Sequence, residues 1–191
     1  LMPDEQEAYY IELSKNIESP LMLYNIPITT HMSMPIDVIA RLSEQPNIIG
    51  IKDSESDIPR LEKLIEVFRN RVDFSILIGV TALSEKALQL GADGTVPSLG
   101  NLVPELCKKL YDSAIQNSTE NTRLFQQQLD DLGHFLRGNL SLEQSLSALK
   151  IAMGVLELCG PDVMPPLRAL NKCQQDDIRQ KFIAWQATQE S

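Results

Sequence analysis

Basic side chains are scarce in this chain of 191 residues: 17 Lys and Arg stand against 26 Asp and Glu, a net charge of −9. That balance removes the attraction on which nucleic-acid binding usually rests and disfavours an anionic membrane surface. Long apolar runs are missing too, since none approaches the ~18 residues of a spanning helix. Neither a nucleic acid nor a membrane is an expected partner. Histidine occurs only at His31 and His134, and the cysteines lack CxxC spacing, so no metal site is expected. Cys107, Cys159 and Cys173 are odd in number and widely spaced, and the opening LMPDEQEAYY has no basic n-region and no apolar h-region. A reducing cytoplasm is the expected location. GADG at 91–94 lacks the further glycines of a dinucleotide fingerprint, and no GxxxxGKS/T occurs, so no nucleotide cofactor is implied.

What is present is ordinary for a folded protein. Hydrophobic residues make up 43% and charged residues 23%, which excludes wholesale disorder. The length fits one domain, or one domain with an appendage.

Short apolar runs alternate with helical periodicity along the first part of the chain. A helix is expected from residue 3 to about 18, then a strand in LMLYNIP stopped by Pro27, and a helix marked by Ile36, Ile39, Ala40 and Leu42. NIIGIKDS reads as a second strand, followed by a helix whose apolar face is Ile58, Leu61, Leu64, Ile65 and Phe68. FSILIG is a third strand, a helix from about Thr81 to Leu90 ends at Gly91, and ADGTVPS is a fourth strand candidate. Beyond Asn101 every segment is helical in period. Leu102, Leu106 and Leu110 form one stripe, and Leu124, Leu129, Leu132 and Phe135 another. Ser141 with Gln144 has the form of a capping box, and a last helix is expected from about Gln174 to Trp185. The polar stretch near 115–120 suggests a boundary, so residues 1–117 are expected to be an α/β part and 118–191 a helical extension.

Such alternation implies parallel strands joined by right-handed crossovers. A doubly wound sheet or part of a (β/α)8 barrel satisfies it, and a whole barrel needs ~250 residues.

Two side chains stand out. In NIIGIKDS, a period of two places Ile48, Gly50 and Lys52 on one face and Ile49 and Ile51 on the other, so Lys52 ends a buried strand. It is either a strand-end lysine that reaches water or pairs with Asp53, or a desolvated amine able to attack a carbonyl. Tyr24 lies 28 residues earlier, the length of one crossover, and shares a strand face with Met22 and Ile26. It is either a core tyrosine or a phenol placed beside the amine to move protons.

YNIP, then IIGIKDS, then a strand ending in Gly79, then GADGTVPSLGNLVPEL together resemble the pyruvate-dependent class I aldolases of the dihydrodipicolinate synthase and N-acetylneuraminate lyase superfamily. The resemblance covers nearly the whole chain. It implies the second half of a (β/α)8 barrel, about strands five to eight, with a C-terminal helical extension. It implies that Lys52 forms a Schiff base with pyruvate or another 2-oxo acid and that Tyr24 shuttles protons. Gly79 then lines the pyruvate site, Val96 packs near the methyl group, and Ser98 can contact a substrate hydroxyl. The strand that carries the family's hydroxyl pair for the pyruvate carboxylate lies earlier than any strand here, so these residues taken alone are expected to be inactive. A homo-oligomer, tetramer or dimer, is implied as well, and no cofactor.

Departures from the family pattern bear on the substrate. Thr29 stands where lysine-pathway members carry an arginine, and Thr81 with Ala82 stands where sialic acid lyases carry Asp and Glu. Thr29 and Thr81 are therefore the candidate substrate contacts at those places. His31 replaces a common glycine. By elimination the expected activity is cleavage or formation of a carbon–carbon bond between pyruvate and an aldehyde, in a 2-oxo-3-deoxy sugar acid or hydroxy-oxo acid. The alternatives are 4-hydroxy-tetrahydrodipicolinate synthase and a non-catalytic half-barrel that binds or assembles.

Overall fold

Four short strands separated by helices build the first of two units. The computed structural model describes residues 2–138 and 140–189, and the chain divides into Leu1–Pro97 with Leu110–Arg123, and Ser98–Lys109 with Leu124–Ser191. Along the chain run α1 (Pro3–Asn16), β1 (Leu21–Asn25), α2 (Pro27–Thr30), α3 (Ile36–Leu42), β2 (Ile48–Asp53), α4 (Ile58–Phe68), β3 (Ser75–Ile78), α5 (Ser84–Leu90) and β4 (Gly94–Thr95). Then follow α6 (Pro104–Ile115), α7 (Thr119–Arg137), α8 (Leu142–Val155) and α9 (Lys172–Gln189).

All strand pairs are parallel, in the order β1-β2-β3-β4. A parallel order brings every strand's C-terminal end to one edge of the sheet, where the loops into the next helices begin. The other consequence is a core between sheet and helices. Leu23, Ile51, Ile76 and Ile78 from the strands pack with Val38, Ile39 and Leu42 of α3 and with Leu61, Leu64, Ile65 and Phe68 of α4. Each such side chain, fully buried, contributes roughly 1.5–3 kcal/mol. Phe68 stacks on Phe74 at 4.4 Å between centroids.

Local signals explain the helix ends. Asp57 caps α4 by accepting the Arg60 N–H at 2.7 Å. Gly91 closes α5 at φ 105°, a left-handed conformation that side chains resist. The helix expected from Thr81 is in fact a 3-10 turn over Thr81–Leu83 with α5 starting at Ser84. The fourth strand contracts to two residues.

One face assignment is corrected. Ile48 is 3% exposed and belongs to the core, whereas Ile49 is 40% exposed. The pairing slips between Leu21↔Ile48 and Met22↔Gly50, which leaves Ile49 as an extra residue and breaks the period of two there. From Gly50 onward the alternation holds.

Among the described residues of the second unit, the regular elements are helices and one 3-10 turn. Among its buried side chains are Leu129, Leu132 and Leu136 of α7, Ala148, Ile151 and Ala152 of α8, and Ile178 and Phe182 of α9. Its capping box forms as expected: Ser141 N–H donates to Gln144 Oε1 at 3.1 Å, and Gln144 N–H donates to Ser141 Oγ. No helix among the described residues is long and apolar enough to cross a membrane.

Candidate active site

β1 and β2 pair so that Tyr24 lies opposite Lys52 and Asn25 opposite Asp53. Successive residues of a strand point to opposite faces. Residues 24 and 52 therefore share the face away from the helices, and residues 25 and 53 share the helix side. Tyr24 Oη lies 3.2 Å from Lys52 Nζ, and the same nitrogen stands 4.3 Å from the centre of the Tyr24 ring. The ammonium thus meets both the hydroxyl and the π face of one phenol. Tyr24 is 43% exposed, so the pair opens to solvent and not into the core.

Gly79 follows β3 directly, and its N–H donates to Asp53 O at 2.8 Å. A Cβ on Gly79 would stand 2.9 Å from Lys52 Cε and nearer still to Ser54 Oγ. Only glycine leaves the lysine stem its place. Val96 comes just after β4, where its N–H donates to Ile78 O at 2.8 Å, one residue before Gly79. The structure thus brings Tyr24, Lys52 and Gly79 together at the C-terminal edge, with Val96 at the adjoining strand end. Thr29 is exposed on α2, just after β1, and Thr81 opens the 3-10 turn after β3, so both lie in segments that follow strand ends at that same edge. Ser98 belongs to the second unit, where its carbonyl accepts from Asn101 Nδ2 at 3.0 Å. His31 caps α2 in the left-handed region at φ 56°.

The pairing of Lys52 with Asp53 does not occur. Asp53 points to the helix side and is 4% exposed, and Arg60 takes it: Nη2 donates to Oδ2 at 2.8 Å and Nε at 3.1 Å. Asn25 Nδ2 donates to the same Oδ2 at 3.1 Å and to Glu55 Oε2 at 3.0 Å. Two features escaped the sequence reading. Ser54 lies against Gly79, where its Oγ and Lys52 Cε both crowd the place a Cβ would take, and its signal was its place two residues after the lysine. The Asn25–Asp53–Arg60–Glu55 network was signalled by polar residues on the buried face of two strands, which demand partners.

Chemically, the pair offers a primary amine that can add to a carbonyl and a phenol within reach of the same nitrogen. Among the described residues there is no group of three or more His, Cys, Asp or Glu that could hold a metal ion.

The model of the dihydrodipicolinate synthetase family matches residues 2–184. A curated relative, 4-hydroxy-tetrahydrodipicolinate synthase of Alkalilimnicola ehrlichii, is 28% identical over 172 residues, covering 90% of this chain and 57% of its own length. Dihydrodipicolinate synthase of Bacteroides thetaiotaomicron superposes with TM-score 0.88 at 27% identity, over 95% of this chain and 61% of that one. A 2-keto-3-deoxygluconate aldolase of Sulfolobus solfataricus shares the fold at TM-score 0.84 and 17% identity, over 98% of this chain and 61% of that one. The chain spans little more than half the length of the curated relatives.

Proposed function

Because this chain belongs to the dihydrodipicolinate synthetase family, we propose that it supplies the Schiff-base half of a class I aldolase or lyase acting on pyruvate and an aldehyde. The observation that carries this reading is the Tyr24–Lys52 pair with glycine at its side. The Lys52 amine, once deprotonated, adds to the ketone carbon. A C–N bond forms, the carbonyl oxygen leaves as water, and a protonated imine remains. Tyr24 can carry protons to and from the oxygen that leaves and the bond that breaks. The four parallel strands are, on this reading, the C-terminal half of a (β/α)8 barrel, with residues 118–191 as its extension. Coverage of 61% of the Bacteroides chain supports a partial barrel. A homo-oligomer is part of the same reading.

For the substrate, a 2-oxo-3-deoxy sugar acid or hydroxy-oxo acid is proposed. Thr29, exposed at the edge of the site, can bond a hydroxyl but cannot hold a carboxylate by a paired fork as arginine does. Thr81 and Ser54 add hydroxyls suited to the same polar ligand. A second reading, 4-hydroxy-tetrahydrodipicolinate synthase, is favoured by the name of the Alkalilimnicola relative.

Borohydride reduction in the presence of pyruvate, on a full-length protein that carries the earlier strand with the hydroxyl pair as well as these residues, tests the chemistry. A reduced three-carbon adduct on the peptide containing Lys52 is the expected result, and an adduct elsewhere or none rejects it, leaving a binding or assembly role. Turnover of aldehydes with and without a carboxylate then separates the two substrate readings.

A further inference from the structure

We propose that Asn25 and Asp53, clamped by Arg60 and Glu55, are positioning residues that hold Tyr24 and Lys52 in place from the opposite face of the same two strands; the proposal rests on the Schiff-base reading of that pair. Asn25 is 2% exposed and Asp53 4%, and each polar atom of the two side chains is engaged. Besides the bonds already described, Asn25 Oδ1 accepts the Met34 N–H at 3.0 Å, and Asp53 Oδ1 accepts the Glu55 N–H at 2.8 Å. Their main chains are tied as well. Asn25 O accepts from Ser54 N, and Asp53 O from Gly79 N, both at 2.8 Å. Residues 25 and 53 come one step after residues 24 and 52, so fixing their backbone fixes the direction in which the preceding side chains leave the strands.

The network also reaches the loop after β1. Glu55 Oε2 accepts from Ser33 Oγ at 2.6 Å and pairs with Arg60 Nε at 3.2 Å. The segment carrying Thr29 and His31 is thereby tied to the strand end that carries the lysine.

Strand pairing alone does not call for this arrangement. The preceding pair on the helix side, Leu23 opposite Ile51, is apolar and 0% exposed. Buried ion pairs are often no more stabilising than well-packed apolar groups of the same volume. What the polar set adds is direction, because hydrogen bonds fix angles that apolar contacts leave free.

The test exchanges donor and acceptor. Asn25→Asp sets two carboxylates against each other, Asp53→Asn sets two amides, and the double variant restores one of each between the two positions while setting a carboxylate against Glu55 and taking one from Arg60. Two measurements are made on the full-length protein with its earlier strands: borohydride trapping of pyruvate on Lys52, and acylation of Lys52 by a succinimidyl ester without pyruvate, scored by peptide mass against Lys63 and Lys86. Each single variant should cut trapping roughly tenfold and raise the Lys52-to-Lys63 labelling ratio about threefold, since small displacements of a reacting group cost large factors. The exchange should recover part of both readouts relative to the single variants, since the 25–53 bond returns while Arg60 and Glu55 keep mismatched partners. Unchanged trapping and labelling in the folded single variants overturns the proposal. So does an exchange that restores melting temperature and neither readout. If the single variants do not fold, Ser33→Ala, at the exposed end of the network, should still raise the labelling ratio about twofold, and no rise overturns the proposal. A starting protein that traps no pyruvate removes the Schiff-base reading, while the labelling ratio still decides on the positioning.

Discussion

Gly79 and Lys52 lie so close that one carbon added to the glycine would stand 2.9 Å from the lysine Cε. That separation is shorter than packed side chains adopt, so the lysine has to move, and so does Ser54 Oγ, which stands nearer still. Gly79→Ala is expected to cut trapping of pyruvate on Lys52 by tenfold or more while costing only about 1–3 kcal/mol in stability, the usual range for overpacking. Trapping and thermal melting on one preparation check this. Undiminished trapping would mean that the lysine works from another rotamer.

Tyr24→Phe keeps the ring beneath Lys52 and removes the hydroxyl 3.2 Å from its nitrogen. Since Tyr24 is 43% exposed, the melting temperature should hardly change. Turnover of the full-length protein with its earlier strands, measured by pyruvate release, should fall by roughly 10²- to 10⁴-fold, as expected for a general acid–base group. Turnover near the starting value would reassign Tyr24 to packing.

Asp53→Ala leaves the Arg60 guanidinium, only 12% exposed, without its main partner. A loss of about 3–5 kcal/mol is expected from breaking one side of a buried pair. Asp53→Ala combined with Arg60→Met should recover most of that stability in a denaturant titration but not the trapping of pyruvate. Recovery of both would show that the ion pair serves stability alone.

Burial holds the Cys107 thiol above the ordinary thiol range, whereas Cys173 is exposed. The thiolate is the reactive form, so a raised value keeps Cys107 protonated and slow where an ordinary thiol has begun to ionise. Iodoacetamide at about pH 8 should therefore label Cys173 well before Cys107, with the gap narrowing as pH rises. Equal rates, read by peptide mapping, would contradict the burial of Cys107.

The chain's own periodicity determined the parallel α/β order, the cap at Ser141 and the 28-residue offset that sets Tyr24 opposite Lys52. These are local properties: repeat lengths of helix and strand are set by backbone geometry, and a crossover of fixed length delivers the next strand in a nearly fixed register. The partner of Asp53 was decided by tertiary structure. Its neighbour in sequence is Lys52, yet the pleat sends the two side chains to opposite faces, and α4 brings Arg60 over the sheet to meet the carboxylate. The slip at Ile49, which moves Ile48 into the core, depends on how β1 docks on β2 and leaves no mark in the period of NIIGIKDS. Ser54 was legible as a residue near the lysine, but its contact with Gly79 exists only because β3 ends beside β2. Pattern follows from the bonds along the chain, whereas partners follow from distances across it, and those are settled only when the sheet and its helices pack.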